Sequence, residues 1–147
     1  MSKRALFPLE KCIVFNKKHD SWFEPMIFDA AYLHAMAFSA GAFFNLVMGR
    51  SNAPRGDGAC VHFLKTIRLL RERLLLEDEK PKLTNQTISV ILTLAIHARM
   101  VGDGTSARNH MAGLSKIISL RGGVGTFGDN PSLLIEILRY VYYFAAH

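Results

Sequence analysis

Apolar residues recur at every third or fourth position through most of this chain, and no stretch alternates strictly between apolar and polar residues. The first spacing builds one apolar face on a helix, whereas strict alternation marks a half-buried strand. The pattern therefore predicts a single all-α domain of about five helices, packed antiparallel because their connections are short. The predicted helices cover residues 27–48, 59–76, 84–101, 105–121 and 131–147.

The clearest pattern is the helix over residues 105–121. Its apolar face comprises Ala107, Met111, Leu114 and Ile118. His110 lies at the edge of that face, and Thr105 or Ser106 is the expected N-cap. Gly122 follows the last helical residue and suits the left-handed conformation that closes many helices. We therefore expect this helix to end abruptly at Arg121.

Two other helix starts carry local signals. Thr84 is an N-cap candidate, and Leu83 with Ile88 matches the hydrophobic staple that brackets such a cap. Asn130 precedes Pro131, and proline is favoured at the first position of a helix. Both helices are therefore predicted to begin at these residues.

The first predicted helix has no acidic or basic side chain between Ala30 and Met48. Its length would span a bilayer, so a membrane-anchored protein has to be considered. Its many alanines, with His34, Ser39 and Asn45, are poor residues for hydrocarbon. We predict a buried core helix and no membrane interaction.

Charge is unevenly distributed over the 147 residues, whose net charge is +6. The first twenty residues carry five basic and two acidic side chains, a net +3, and their basic members are Lys3, Arg4, Lys11, Lys17 and Lys18. We predict a basic irregular arm at residues 1–25 and a helical domain at 26–147. Two cysteines, Cys12 and Cys60, are too few for a cysteine-rich metal module.

Candidate chemistry is sparse. Gly123, Gly125 and Gly128 spell G-x-G-x-x-G, but that fingerprint binds dinucleotides only when a strand feeds the glycines, and here a helix does. The histidines lack metal-ligand spacing, so we expect no metal, no cofactor and no catalytic residue. Histidines on apolar helix faces are expected to pair with backbone or with carboxylates, of which Asp29 and Asp103 are candidates.

Two weaker signals lie on the second predicted helix. Cys60 and His62 are two residues apart and therefore point in different directions, which disfavours a nucleophile pair. Its basic residues have no interleaved aromatic side chains for stacking on bases, so a solvated cationic face is expected. These residues are Lys65, Arg68, Arg71 and Arg73.

The segment from His110 to Gly123, H-M-A-G-L-S-K-I-I-S-L-R-G-G, resembles the signature helix of the fungal-specific transcription factor domain. Trp22-Phe23, Leu83 to Leu94 and Asn130 to Leu133 resemble further parts of that domain in the same order. The structural signature residues that the resemblance implies are His110, Gly113, Leu114, Arg121, Gly122 and Gly123.

This domain is the regulatory middle region of fungal zinc-cluster regulators. The resemblance therefore implies a non-catalytic role in transcription regulation through protein contacts, and location in the nucleus or otherwise the cytoplasm. Two cysteines cannot supply the six-cysteine zinc module, so sequence-specific DNA binding is not expected. The chain is expected to be a fragment or a shortened relative. The alternative is an enzyme or small-molecule sensor with a pocket between helices.

The last predicted helix carries apolar side chains on nearly every face between residues 133 and 144. A surface helix needs only one apolar stripe, and soluble monomers rarely leave large apolar patches bare. We therefore expect protein partners or a homodimer through this helix. The candidate contacts are Leu138, Val141, Tyr142 and Phe144.

Overall fold

A computed structural model of the chain describes residues 24–49 and 58–146. Within these ranges the chain contains helices and no strand. The α-helices are α1 (Glu24–Phe28), α2 (Ala30–Val47), α3 (Gly58–Leu75), α4 (Asn85–Met100), α5 (Gly104–Arg121) and α6 (Pro131–Ala146). Two 3₁₀ helices, Lys80–Leu83 and Val124–Phe127, precede α4 and α6. The all-α prediction is confirmed, and the predicted arm lies almost wholly outside the described residues.

Three predicted helix ends are confirmed by their hydrogen bonds. The Thr84 side chain accepts from the Thr87 N–H at 3.2 Å at the start of α4. The Asn130 side chain accepts from the Leu133 N–H at 3.1 Å at the start of α6. Gly122 closes α5 in the left-handed conformation. These helix ends could be predicted from the sequence because each depends on residues a few positions apart.

Two predicted starts were wrong, and an aspartate is the reason in each case. Asp103 caps α5 by accepting from the Ser106 N–H at 2.9 Å, so neither Thr105 nor Ser106 is the cap. Asp29 adopts extended backbone and accepts from the Tyr32 N–H at 2.9 Å, which separates α1 from α2. The helix predicted over residues 27–48 is therefore two helices.

The helices α2, α3 and α4 form the first half of the core. Asp29 contacts Arg73 near one end of the α2–α3 pair, and Gly41 meets Ala59 near the other. A Cβ on Gly41 would lie 2.9 Å from the Ala59 Cβ, so glycine permits this close approach. The order of these contacts shows that α2 and α3 run antiparallel, as predicted.

Helix α4 is the centre of the core, which confirms the prediction of a central buried helix. Its buried residues are Thr87, Ile88, Val90, Ile91, Leu92, Leu94, Ala95 and Ala98. Around them pack buried side chains from the other elements, among them Phe38, Leu70, Leu114, Phe127 and Ile137. All five long helices therefore contribute to one hydrophobic cluster.

The prediction that the apolar first helix is buried was wrong for most of α2. Only Ala31, Ala35 and Phe38 are buried among its 18 residues. Its outer face exposes large apolar side chains, which include Leu33, Phe44 and Val47. Among the described helices, α2 has the length and apolarity to cross a membrane, a test that core helices of soluble proteins also pass.

Candidate functional site

The signature segment ends α5 in a Schellman motif. The Gly123 N–H donates to the Ile118 carbonyl at 2.9 Å, and the Gly122 N–H donates to the Ser119 carbonyl at 3.1 Å. These two bonds satisfy carbonyls that the end of a helix otherwise leaves without partners. Both glycines have positive φ, 112° at Gly122 and 89° at Gly123. The glycine pair is therefore required by backbone geometry.

Arg121, the last residue of α5, connects that end to α4 and to both 3₁₀ helices. One guanidinium nitrogen donates to the Leu83 carbonyl at 3.3 Å and to the Asn85 side-chain oxygen. The other donates to the Thr126 carbonyl at 3.3 Å, and the guanidinium carbon lies 4.4 Å from the centre of the Phe127 ring. The planar guanidinium thus joins the start of α4 to the turn that leads into α6.

The remaining signature residues divide between core and surface. Leu114 is fully buried, and His110 is half-buried. Burial lowers the pKa of His110, while the Asp103 carboxylate acts in the opposite direction. Gly113 is exposed, and no atom within 4 Å would meet a Cβ added there. Leu114 in the core and Arg121, Gly122 and Gly123 at the end of α5 therefore have structural roles in this fold.

The glycines that spell G-x-G-x-x-G form no phosphate cradle here. α5 feeds them, and Val124–Phe127 folds into a 3₁₀ helix between Gly123 and Gly128. The Phe127 side chain is fully buried beneath this turn. The prediction of a helix-to-helix turn is confirmed.

A polar cluster that the sequence did not predict joins four elements around Arg73. The Arg73 guanidinium lies 2.7 Å from an Asp29 carboxylate oxygen and donates to the Thr87 hydroxyl at 3.0 Å. The Thr87 hydroxyl donates to the Pro81 carbonyl at 2.7 Å. Only about a sixth of each charged side chain is exposed, 17% for Arg73 and 16% for Asp29. This ion pair therefore ties the start of α2 to the end of α3.

The cluster corrects the predicted cationic face of α3. Arg73 turns inward, although the prediction placed it in solvent with the other basic residues. The sequence does indicate that Arg73 faces inward, because the buried Leu70 lies three residues before it on the same helix face. The other three side chains, Lys65, Arg68 and Arg71, are exposed as expected.

The histidines of α2 and α3 also have partners other than those expected. The Nδ1 atoms of His34 and His62 lie 2.7 Å apart, and both rings are half-buried. Asp29, the expected carboxylate partner, pairs with Arg73 instead. His97 packs against Phe38 and Phe63, with ring centres 5.2 Å away in each case, and burial lowers its pKa.

Residues 24–49 and 58–146 assemble neither a metal centre nor the Cys60–His62 nucleophile pair. In the part of the chain that the structure describes, no group of three or more histidine, cysteine, aspartate or glutamate side chains could hold a metal ion. The ring of His62 is directed to His34 through Nδ1, and the Cys60 thiol is half-buried. The two-residue spacing on α3 accounts for this separation.

Helix α6 carries two apolar stripes that face in different directions. The inner stripe comprises Leu133, Ile137 and Tyr140, which pack on the core, and the half-buried Phe144, which continues the same face. The Arg99 guanidinium lies 5.9 Å from the Phe144 ring centre. The outer stripe comprises Leu138, Val141, Tyr142 and Ala145, all exposed. Each set follows helical spacing.

The predicted contact residues therefore divide. Leu138, Val141 and Tyr142 share the outer stripe, where 50%, 46% and 78% of their surfaces are exposed. Phe144 is half-buried and lies on the same helix face as Ile137, outside the outer stripe, and its part in the contact stays a prediction. The sequence could not separate them, because both stripes are apolar.

Comparison with known proteins gives one result. A family model described as the fungal-specific transcription factor domain matches residues 6–146. No curated protein matches the chain, and neither does any solved structure. The match covers the signature segment, the polar cluster and both stripes of α6.

Proposed function

The chain belongs to the fungal-specific transcription factor domain family, and from this premise we propose that it is a regulatory domain that acts in the nucleus through protein contacts. In this proposal it neither catalyses a reaction nor reads DNA sequence. Its effect on transcription depends on the protein contact that it makes.

The observation that carries this proposal is the outer stripe of α6, defined as Leu138, Val141, Tyr142 and Ala145. Three large apolar side chains are exposed on it at helical spacing. A soluble protein gains free energy by covering such a patch, and exposed apolar patches mark interaction sites more often than chance. The first turns of α6 are fixed by buried Leu133 and Ile137, so the stripe is presented on an anchored helix.

The signature segment supports this presentation. Arg121 holds the turn Val124–Phe127 against α4, and α6 begins four residues after that turn. The position of α6 on the core therefore depends on the Arg-Gly-Gly end of α5. Such a link gives the signature residues a role in function without any chemistry of their own.

The partner that fits the outer stripe best is a second copy of the chain. A two-fold contact buries the same patch from both copies, so a patch with charge of one sign would repel itself, whereas an uncharged patch does not. The outer stripe has no charged member, whereas the chain as a whole carries +6. In an antiparallel pairing of two α6 helices, Val141 meets Tyr142 of the second copy and Leu138 meets Ala145.

A tethered reporter assay tests the functional proposal. The chain is fused to an unrelated DNA-binding module, and transcription is compared with that of the module alone. We expect a change in reporter output that Val141→Glu abolishes. Leu120→Glu is the matched control, since Leu120 is 57% exposed on α5, away from the stripe. Output equal to that of the module alone, or equal effects of both variants, would contradict the proposal.

A further inference from the structure

The seam between α2 and α3 contains a pair of histidines in direct contact. His34 and His62 bring their Nδ1 atoms to 2.7 Å, and their ring centres lie 4.9 Å apart. The two residues are 28 positions apart in the chain and lie on neighbouring antiparallel helices. Their contact is therefore part of what holds the helix pair together.

A nitrogen–nitrogen distance of this length requires one hydrogen between the two atoms. In a neutral imidazole one ring nitrogen donates and the other accepts. One Nδ1–H therefore donates to the other Nδ1, whose ring carries its hydrogen on Nε2. One proton can bind Nε2 of the donating ring and leave the bond intact. In an imidazolium both nitrogens are donors, so a further proton on the accepting ring removes the acceptor and leaves two N–H groups facing each other.

We propose that the His34–His62 pair is a proton-sensitive latch, which joins α2 to α3 while the accepting ring is neutral and loosens the contact between these helices when acid protonates it. The latch needs no further ligand. Its state is set by proton concentration alone, at pH values below the pKa of unperturbed histidines, which is about 6.5.

The charges around the pair oppose protonation. Burial, His62, Lys65 and Arg68, in that order, lower the pKa of His34. On α4, the ring of His97 contacts Phe38 of α2 and Phe63 of α3, and burial lowers the pKa of that histidine too. The acidic residue of α3, Glu72, pairs with Arg68, and the N-cap of α2, Asp29, pairs with Arg73.

The sign of the pH effect follows from this arrangement. A histidine whose pKa is lowered in the folded chain binds fewer protons there than in the unfolded chain. Stability is therefore fully present above the unfolded pKa near 6.5 and is lost as pH falls toward the lowered folded value. If the closed pair excludes one proton that the open pair accepts, the opening constant rises about 30-fold between pH 7.5 and pH 5.0.

Hydrogen exchange of the full chain tests the latch, with opening constants corrected for intrinsic exchange at each pH. We expect amides of α2 and α3 to lose about 30-fold more protection between pH 7.5 and pH 5.0 than amides on the far end of α5. His62→Asn retains a polar group at the δ position but does not titrate, so it should remove this extra loss. His110→Asn, on α5, should leave it intact.

A second measurement guards against a variant that does not fold. In the wild-type chain with ¹⁵N-labelled histidines, a scalar coupling across the N–H···N bond should link the two Nδ1 atoms at pH 7.5 and decrease as the pH falls to 5.0. Equal loss of protection in wild type and His62→Asn would overturn the proposal. So would the absence of extra loss in wild type, or the absence of the coupling at pH 7.5.

Discussion

The two glycines that close α5 give the sharpest test of the backbone argument. Gly122 has φ 112° and ψ 15°, and Gly123 has φ 89° and ψ −175°. A Cβ is strained at both positions, most of all at Gly123, whose region of φ and ψ is almost restricted to glycine. Gly128 has φ −60° and ψ −25°, which any residue adopts, and no atom lies within 4 Å of its Cβ position.

Alanine substitutions at Gly122, Gly123 and Gly128 distinguish the cost of backbone strain from the general effect of replacing a glycine. We expect Gly122→Ala to cost about 1 kcal/mol and Gly123→Ala about 2 kcal/mol of stability. Gly128→Ala should be neutral or stabilise by about 0.5 kcal/mol, because it restricts only the unfolded chain. Unfolding of the turn would relieve the strain only at a further cost in free energy. It would expose Phe127, whose burial contributes about 1.5–3 kcal/mol.

Urea unfolding followed by circular dichroism measures the three variants against wild type. With a slope of about 2 kcal/mol/M, Gly123→Ala should lower the midpoint by about 1 M, while Gly128→Ala should leave it unchanged or raise it slightly. Equal shifts for all three variants would refute the reasoning. That result would mean that Arg121-Gly122-Gly123 is a loose linker in solution and not a helix cap.

Three further predictions concern Arg121, the Asp29–Arg73 ion pair and DNA binding. Arg121→Lys keeps the charge, but lysine cannot bind three acceptors and stack on a ring, so the variant should lose about 1.5–3 kcal/mol of stability in urea unfolding. A variant as stable as wild type would contradict the structural role of Arg121. In a double-mutant cycle, Asp29→Asn, which keeps the cap, and Arg73→Gln should show coupling of about 1–2 kcal/mol, whereas additive losses would mean that the pair contributes nothing. Binding of duplex DNA should be weak, independent of sequence and steeply reduced by salt; a sequence-specific complex at physiological salt, seen by fluorescence anisotropy, would refute this expectation.

Local sequence rules accounted for much of this fold. The start of α4 at Thr84, the start of α6 at Asn130 and the end of α5 at Gly122 each depend on neighbours a few residues away. The same rules failed at α5, where Asp103, Thr105 and Ser106 all suit a cap and nothing local chooses between them. Where several residues compete for one role, the structure is needed to decide.

The partly buried polar contacts were beyond those rules. Asp29 and Arg73 are 44 residues apart, and His34 and His62 are 28 apart, so no spacing in the sequence links either pair. Composition also could not tell that α2 leaves an apolar face uncovered, since apolarity does not reveal what packs against a helix. The signature residues were identified by resemblance, but the contacts of Arg121 emerged only from the fold.

Self-association through the outer stripe of α6 is the claim on which the proposed mode of action rests. Sedimentation velocity over a wide concentration range tests it directly, with Val141→Glu and the control Leu120→Glu run in parallel. We expect wild type and Leu120→Glu to shift from one chain toward two as concentration rises, and Val141→Glu to weaken association about 100-fold, since an unpaired charge would be buried twice at the two-fold contact. A monomer at every concentration, or association unchanged by Val141→Glu, would contradict the account.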